Sequence, residues 1–142
     1  MKAIVVDASL WVARLVEGDA FHALSRGWLD EQRRDGTIFL APALLLVEVA
    51  AAISRRTGQP NLAKRATQAL QRLTHLRLVA MDASLVHKAA DLAADLGVRS
   101  ADAFYIATAH QLGVPLATLD ADQAQRAVRL LQVLRPNVPP SN

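Results

Sequence analysis

The sequence predicts an α/β fold of three layers, with a central five-stranded parallel sheet covered by helices on both faces. Short apolar runs alternate along the chain with longer stretches of helical periodicity, the pattern of β-α-β crossovers. Hydrophobic residues make up 52% but aromatics only 4%, so Ala, Leu and Val must build the core. That composition suits helices packed on a sheet better than a β-sandwich. At 142 residues the chain is long enough for one well-buried domain and too short for two.

Ala3–Val6 is a short apolar run that stops at Asp7, which predicts a buried strand. Helical spacing follows over Leu10–Val16 and again from Asp19 to Arg34, closed by Gly36. Thr37–Leu40 is the second predicted strand. Pro42 suits the first turn of a helix reaching Thr57, with Gly58 as its stop. Asn61–Leu73 is a helix and Leu76–Ala80 a strand. Asp82 or Ser84 should cap a helix ending at Gly97, and Ser100 the next one, ending near Gly113. Val114–Leu119, Ala121–Val128 and Leu130–Leu134 complete the pattern as strand, short helix and strand. The domain is expected to span 1–134, with the proline-bearing tail 135–142 disordered.

Composition removes several function classes. Without cysteine there is no disulfide, no thiolate zinc site and no cysteine nucleophile. No apolar run approaches a membrane span, and Asp7 breaks the only N-terminal one, so a cytoplasmic protein without membrane attachment is expected. His22, His75, His87 and His110 lack metal-ligand spacing, and no glycine-rich phosphate loop follows the first strand. Basic charge gathers in the middle: residues 51–100 hold eight basic and three acidic side chains, against five and seven before them. That bias fits either a solvated helix face or a nucleic-acid footprint.

Parallel sheets carry their sites at the carboxyl ends of the strands, and four acids are expected there. Asp7 ends the first strand, although it could also serve as a helix cap. Glu48 interrupts the apolar stretch Leu44–Ile53, where an unpaired ionised carboxylate would be costly; it needs an arginine or a bound cation. Asp102 lies in the first turn of a helix whose N-terminus must face that same edge. Asp120 follows the fourth strand, with Asp122 close enough to share or displace its role. Four carboxylates at one place repel unless a cation joins them, and an oxygen-only set suits Mg²⁺ or Mn²⁺.

Val6-Asp7-Ala8-Ser9, Glu48 within a hydrophobic helix, Arg99-Ser100-Ala101-Asp102 opening a later helix, and Thr118-Leu119-Asp120 resemble the PIN-domain nucleases, most of all the VapC toxins. The resemblance runs from Lys2 to about Leu134. It implies a PIN-like fold and cleavage of RNA with one or two Mg²⁺ or Mn²⁺ ions. It maps Asp7, Glu48, Asp102 and Asp120 onto the acidic quartet, and Ser9 and Thr118 onto polar residues beside it. It also implies a cognate antitoxin, and, with the many apolar helix residues between Leu10 and Leu73, a homodimer. Arg55, Arg56, Lys64, Arg65 and Arg99 are the candidates for RNA contact, with Arg72 a further possibility on the same basic stretch. Trp11 and Trp28 fit core or interface packing better than base stacking. Two competing readings are a PIN-like scaffold that binds RNA or protein without cutting, and a phosphatase or receiver domain. The second wants a lysine in the site, and the phosphatase a second acid where Ser9 stands.

Overall fold

The structure is a computed structural model that describes residues 2–136. Five strands pair in the order β3-β2-β1-β4-β5, all parallel: β1 (Ala3–Val6), β2 (Ile38–Pro42), β3 (Leu76–Val79), β4 (Leu116–Ala117) and β5 (Val133–Leu134). The chain builds outward from β1 to β3, then returns to the other side of β1 for β4 and β5. The strand order therefore reverses between β1 and β4, and there the carboxyl edge opens into a crevice.

Right-handed crossovers put the helices of the two halves on opposite faces. Helices α1 (Ala8–Leu15) and α2 (His22–Arg34) lead into β2, while α3 (Leu44–Thr57) and α4 (Pro60–Arg72) lead into β3. These four pack as one layer, α1 against α2 and α3, and α3 against α4. The other layer holds α5 (Ala83–Leu96), α6 (Ser100–Leu112) and α7 (Ala121–Ala127). Helix α6 is buried almost all round: Ala103, Tyr105, Ile106, Ala107 and Ala109 have at most 1% exposure. Its run of alanines lets it lie close over β1 and β2. The few aromatic residues are concentrated; Trp11 meets Phe39 edge-on at 5.5 Å, and Trp28 packs against the core margin.

The structure shifts several expected boundaries. Pro42 closes β2 opposite Val79 instead of opening the helix, and α3 begins at Leu44. A proline is tolerated there because its missing N–H falls at the strand's last position. Asp82, not Ser84, caps α5 by accepting from Leu85 N at 2.9 Å. Ser100 is the first residue of α6 and caps nothing; Arg99 holds the cap position without a side-chain cap bond. Strands β4 and β5 contract to two residues each, since only those pair. Gly97 ends α5 at φ +67, and a Cβ there would meet Arg126 Nη1 at 3.0 Å. Glycine is thus required for the sharp turn that leads within two residues to Arg99. Of the expected disordered tail, 135–142, residues from 137 onward fall outside the described residues; Arg135, its first residue, donates from Nη2 to Leu119 O at 3.3 Å.

Candidate active site

Asp7 leaves β1 at the reversal point and is 4% exposed. Two roles converge on its carboxylate. Oδ1 accepts from Ser9 N, which caps α1, and from the Ser9 hydroxyl. Oδ2 accepts from the Thr118 hydroxyl, so the bond joins the ends of the two strands that flank the crevice. Ser9 in turn accepts from Leu119 N at 3.0 Å. Burial pushes the Asp7 carboxyl up to about 7, against the pull of the Ser9 and Thr118 bonds, and the Asp102 charge adds to the rise.

Thr118 has one hydroxyl hydrogen but three polar neighbours: Asp7, Gln123 Oε1 at 3.0 Å, and Asp120 N at 3.0 Å, from which it accepts. An ionised Asp7 claims the hydrogen. Gln123, fully buried, then satisfies Thr118 only with its amide turned so that Nε2 donates, and Nε2 has no other partner.

Glu48 sits in the second turn of α3, half-buried, and no arginine pairs with it among the described residues. Its Oε1 is buried with no hydrogen-bond partner, and the Tyr105 hydroxyl beside it is equally unpartnered. Burial raises the Glu48 carboxyl, with Tyr105 lowering it and Asp102 raising it further. Tyr105 itself is raised by burial and by the Glu48 charge, so it stays a neutral hydroxyl.

Asp102, in the first turn of α6, is raised by burial and by Asp120, with Arg99 opposing. Asp120 caps α7, its Oδ1 accepting from Asp122 N and Gln123 N. Its other oxygen accepts from Arg99 Nη2 at 2.7 Å, and Arg99 Nε reaches Asp102 Oδ2 at 3.4 Å.

The structure therefore brings Asp7, Glu48, Asp102 and Asp120 onto one cavity of about 410 Å³, together with Ser9, Arg99 and Tyr105. Thr118 supports it from below. Asp122 turns outward to Arg126 at 3.1 Å and does not line it. The arginines divide. Arg55 and Arg56 line an adjoining cavity of about 550 Å³ that shares Ser9, Glu48 and Asp120 with the first, and Arg56 is bound to Asp19. Lys64 borders an apolar groove between α3 and α4 (Leu46, Val47, Ala50, Ala63) that shares Val47 and Ala51 with the adjoining cavity, and Arg65 lies exposed on α4 and lines none of them. Among the described residues, no three acidic or histidine side chains already stand close enough to share one ion. The donors nonetheless fit a hard cation: all are oxygens, one buried carboxylate oxygen is orphaned, and three of the carboxyls are shifted toward protonation. Mg²⁺ uses one or two carboxylates and keeps several waters, so the acids need not touch one centre.

The PIN domain family profile matches residues 4–129. The chain belongs to the PIN-domain family. Its fold is shared with VapC20 of Mycobacterium tuberculosis, described as a sarcin–ricin-loop-cleaving toxin (TM-score 0.74, 23% identity, covering 86% of this chain and 93% of that one). It is shared also with VapBC2 of Rickettsia felis, solved on a promoter DNA fragment (TM-score 0.72, 12% identity, 94% and 98%). A toxin–antitoxin complex from Klebsiella pneumoniae gives a TM-score of 0.68 at 14% identity, over 94% and 98%. No curated protein sequence gives a significant match. Two residues of this PIN domain's site escaped the sequence reading. Tyr105 follows Asp102 by three, hence on the same helical face, and a tyrosine in an otherwise apolar helix needs a polar partner. Gln123 carried no such signal, being one polar residue among several around α7.

Proposed function

We propose that this PIN domain is a Mg²⁺- or Mn²⁺-dependent endoribonuclease that acts as the toxin of a toxin–antitoxin pair. The observation that carries the reading is the meeting of Asp7, Glu48, Asp102 and Asp120, from four separate chain segments, on one cavity at the strand-order reversal. Bound there, the cation would supply an activated water and stabilise charge on the phosphate oxygens. The chain's own residues prepare the place. Ser9 and Thr118 fix both oxygens of Asp7 at the cavity, and Oδ2, which accepts a single bond, keeps a lone pair for a further ligand. Tyr105 stands as a neutral donor beside the orphaned Glu48 oxygen. Arg55, exposed on the wall of the adjoining cavity and without a carboxylate partner among the described residues, is the basic side chain best placed to meet a phosphate.

The partner half of the reading draws on the neighbouring folds described as toxin–antitoxin assemblies, VapBC2 and the Klebsiella complex. The apolar groove between α3 and α4, and exposed Val47 beside the acid cavity, support a protein partner there. A homodimer is part of the same proposal. One observation favours a non-catalytic scaffold instead: Arg99 pairs with two of the four acids, Asp102 and Asp120. Incubating the purified protein with RNA in Mg²⁺, in Mn²⁺ and in EDTA separates the two. Cleavage that needs the cation and is lost in Asp7→Asn supports the nuclease; intact RNA under all three conditions supports the scaffold.

A further inference from the structure

Arg99 is 74% exposed, yet it makes two ion pairs with the acids of the cavity. Asp120 has one oxygen committed to capping α7 and offers only Oδ2 to the cavity. Arg99 Nη2 takes that oxygen at 2.7 Å, and its Nε takes Asp102 Oδ2 at 3.4 Å. One guanidinium thus bridges the two carboxylates on the cavity wall, while Asp7 and Glu48 make no bond to it. Nothing buries the arginine. It caps no backbone group at the start of α6, and its side chain can swing outward without disturbing the core.

We infer that Arg99 couples cation binding to polyanion binding: it closes the carboxylate centre when the cation is absent and becomes a phosphate ligand when the cation displaces it. The inference rests on the metal-centre reading above. Cation and guanidinium compete for Asp120 Oδ2, the one oxygen that the cap leaves to that carboxylate, so neither can hold it fully while the other does. The freed guanidinium then stands on the wall of a cavity flanked by Arg55, and its planar fork matches two phosphate oxygens. A phosphate that engages Arg99 removes the cation's competitor. Each ligand therefore raises the affinity of the other by the same factor, as linkage requires.

The test uses the full chain, stripped of metal, as wild type, Arg99→Gln and Arg99→Lys. Mn²⁺ is titrated in calorimetrically. A phosphorothioate-linked RNA oligonucleotide is followed by fluorescence anisotropy with and without Mn²⁺. Arg99→Gln should bind Mn²⁺ roughly three- to tenfold more tightly, the range set by losing two exposed ion-pair competitors, with Arg99→Lys between. Mn²⁺ should strengthen oligonucleotide binding more in wild type than in Arg99→Gln, and the two should bind alike in EDTA. Equal or weaker Mn²⁺ binding in Arg99→Gln, with wild type still binding the ion, overturns the inference and leaves the metal centre standing. Absence of Mn²⁺ binding in both proteins overturns the metal centre, and the inference with it.

Discussion

Asp7→Asn should make the metal-free protein more stable at neutral and alkaline pH. Asp7 is buried, and its carboxyl is held at about 7 instead of its ordinary 3.8, chiefly by loss of water. The folded state therefore keeps this proton better than the unfolded chain does. Below pH 3.8 both states are protonated and nothing is lost. Between pH 4 and 7 the unfolded chain releases the proton first, and folding weakens; above 7 the loss is complete. At about 1.4 kcal/mol per pH unit, that loss comes to about 4 kcal/mol. An asparagine keeps the Ser9 bonds on its oxygen and donates from Nδ2 to Thr118, which then donates to Gln123 Oε1. The exchange leaves buried Gln123 Nε2 without a partner, which takes back about 1 kcal/mol. For a domain of this size, a net gain of about 3 kcal/mol raises the melting temperature by roughly 10 °C. Thermal melts in EDTA from pH 4 to 8 should show the variant pulling ahead as pH rises and the two converging near pH 4. An offset that does not vary with pH, or a variant less stable at pH 8, would refute the account of Asp7 as a carboxylate ionised against its surroundings.

Thr118→Val leaves Asp7 Oδ2 without its donor and should cost about 1–3 kcal/mol of stability. It should also weaken cation affinity or cleavage about 10- to 100-fold, read by calorimetry and an RNA-cleavage assay. For Asp19, burial works against ionisation, but the Phe21 N–H and Arg56 hold its carboxyl below the ordinary value. Its stabilisation is present above pH 4 and lost as pH falls through the lowered value, so Asp19→Asn should cost up to about 1 kcal/mol at pH 7 and nothing near pH 2 in denaturant titrations. In oligonucleotide binding measured against salt, Arg55→Ala should reduce the logarithmic slope by about 0.7, and Arg56→Ala by less because Asp19 already holds that guanidinium.

The features legible from sequence were those fixed by local chemistry. An apolar run stopped by Asp7 gave β1 its residues, and Gly58, Gly97 and Gly113 marked helix ends that all take positive φ. The convergence of Asp7, Glu48, Asp102 and Asp120 followed from strand and helix directions alone, without any contact being known. Features set by distant neighbours were not legible. The apolar stretch 114–119 reads as one strand, but its pairing with β1 and β5 ends after Ala117, where Thr118 turns its hydroxyl to Asp7. The choice between Asp120 and Asp122 depends on which one faces Arg99 across the crevice, and residues 99 and 120 are neighbours only in the fold. The dual use of Asp7, as both cap and site residue, also made the two readings of it look like rivals when they are compatible.

The Asp7–Thr118 bond spans 111 residues of chain. During synthesis Asp7 emerges well before the Thr118 hydroxyl and the Asp120 carboxylate that stand beside it. Until β4 has been made and has slid in next to β1, Thr118 cannot hold Asp7 and Asp120 has no position at all. A nascent chain that carries only β1 to α5 holds Asp7 and Glu48, two of the four acids, and lacks the Thr118 hydroxyl that holds Asp7. The carboxylate cluster is therefore completed only when β4 has taken its place beside β1, whatever the order in which the earlier elements fold.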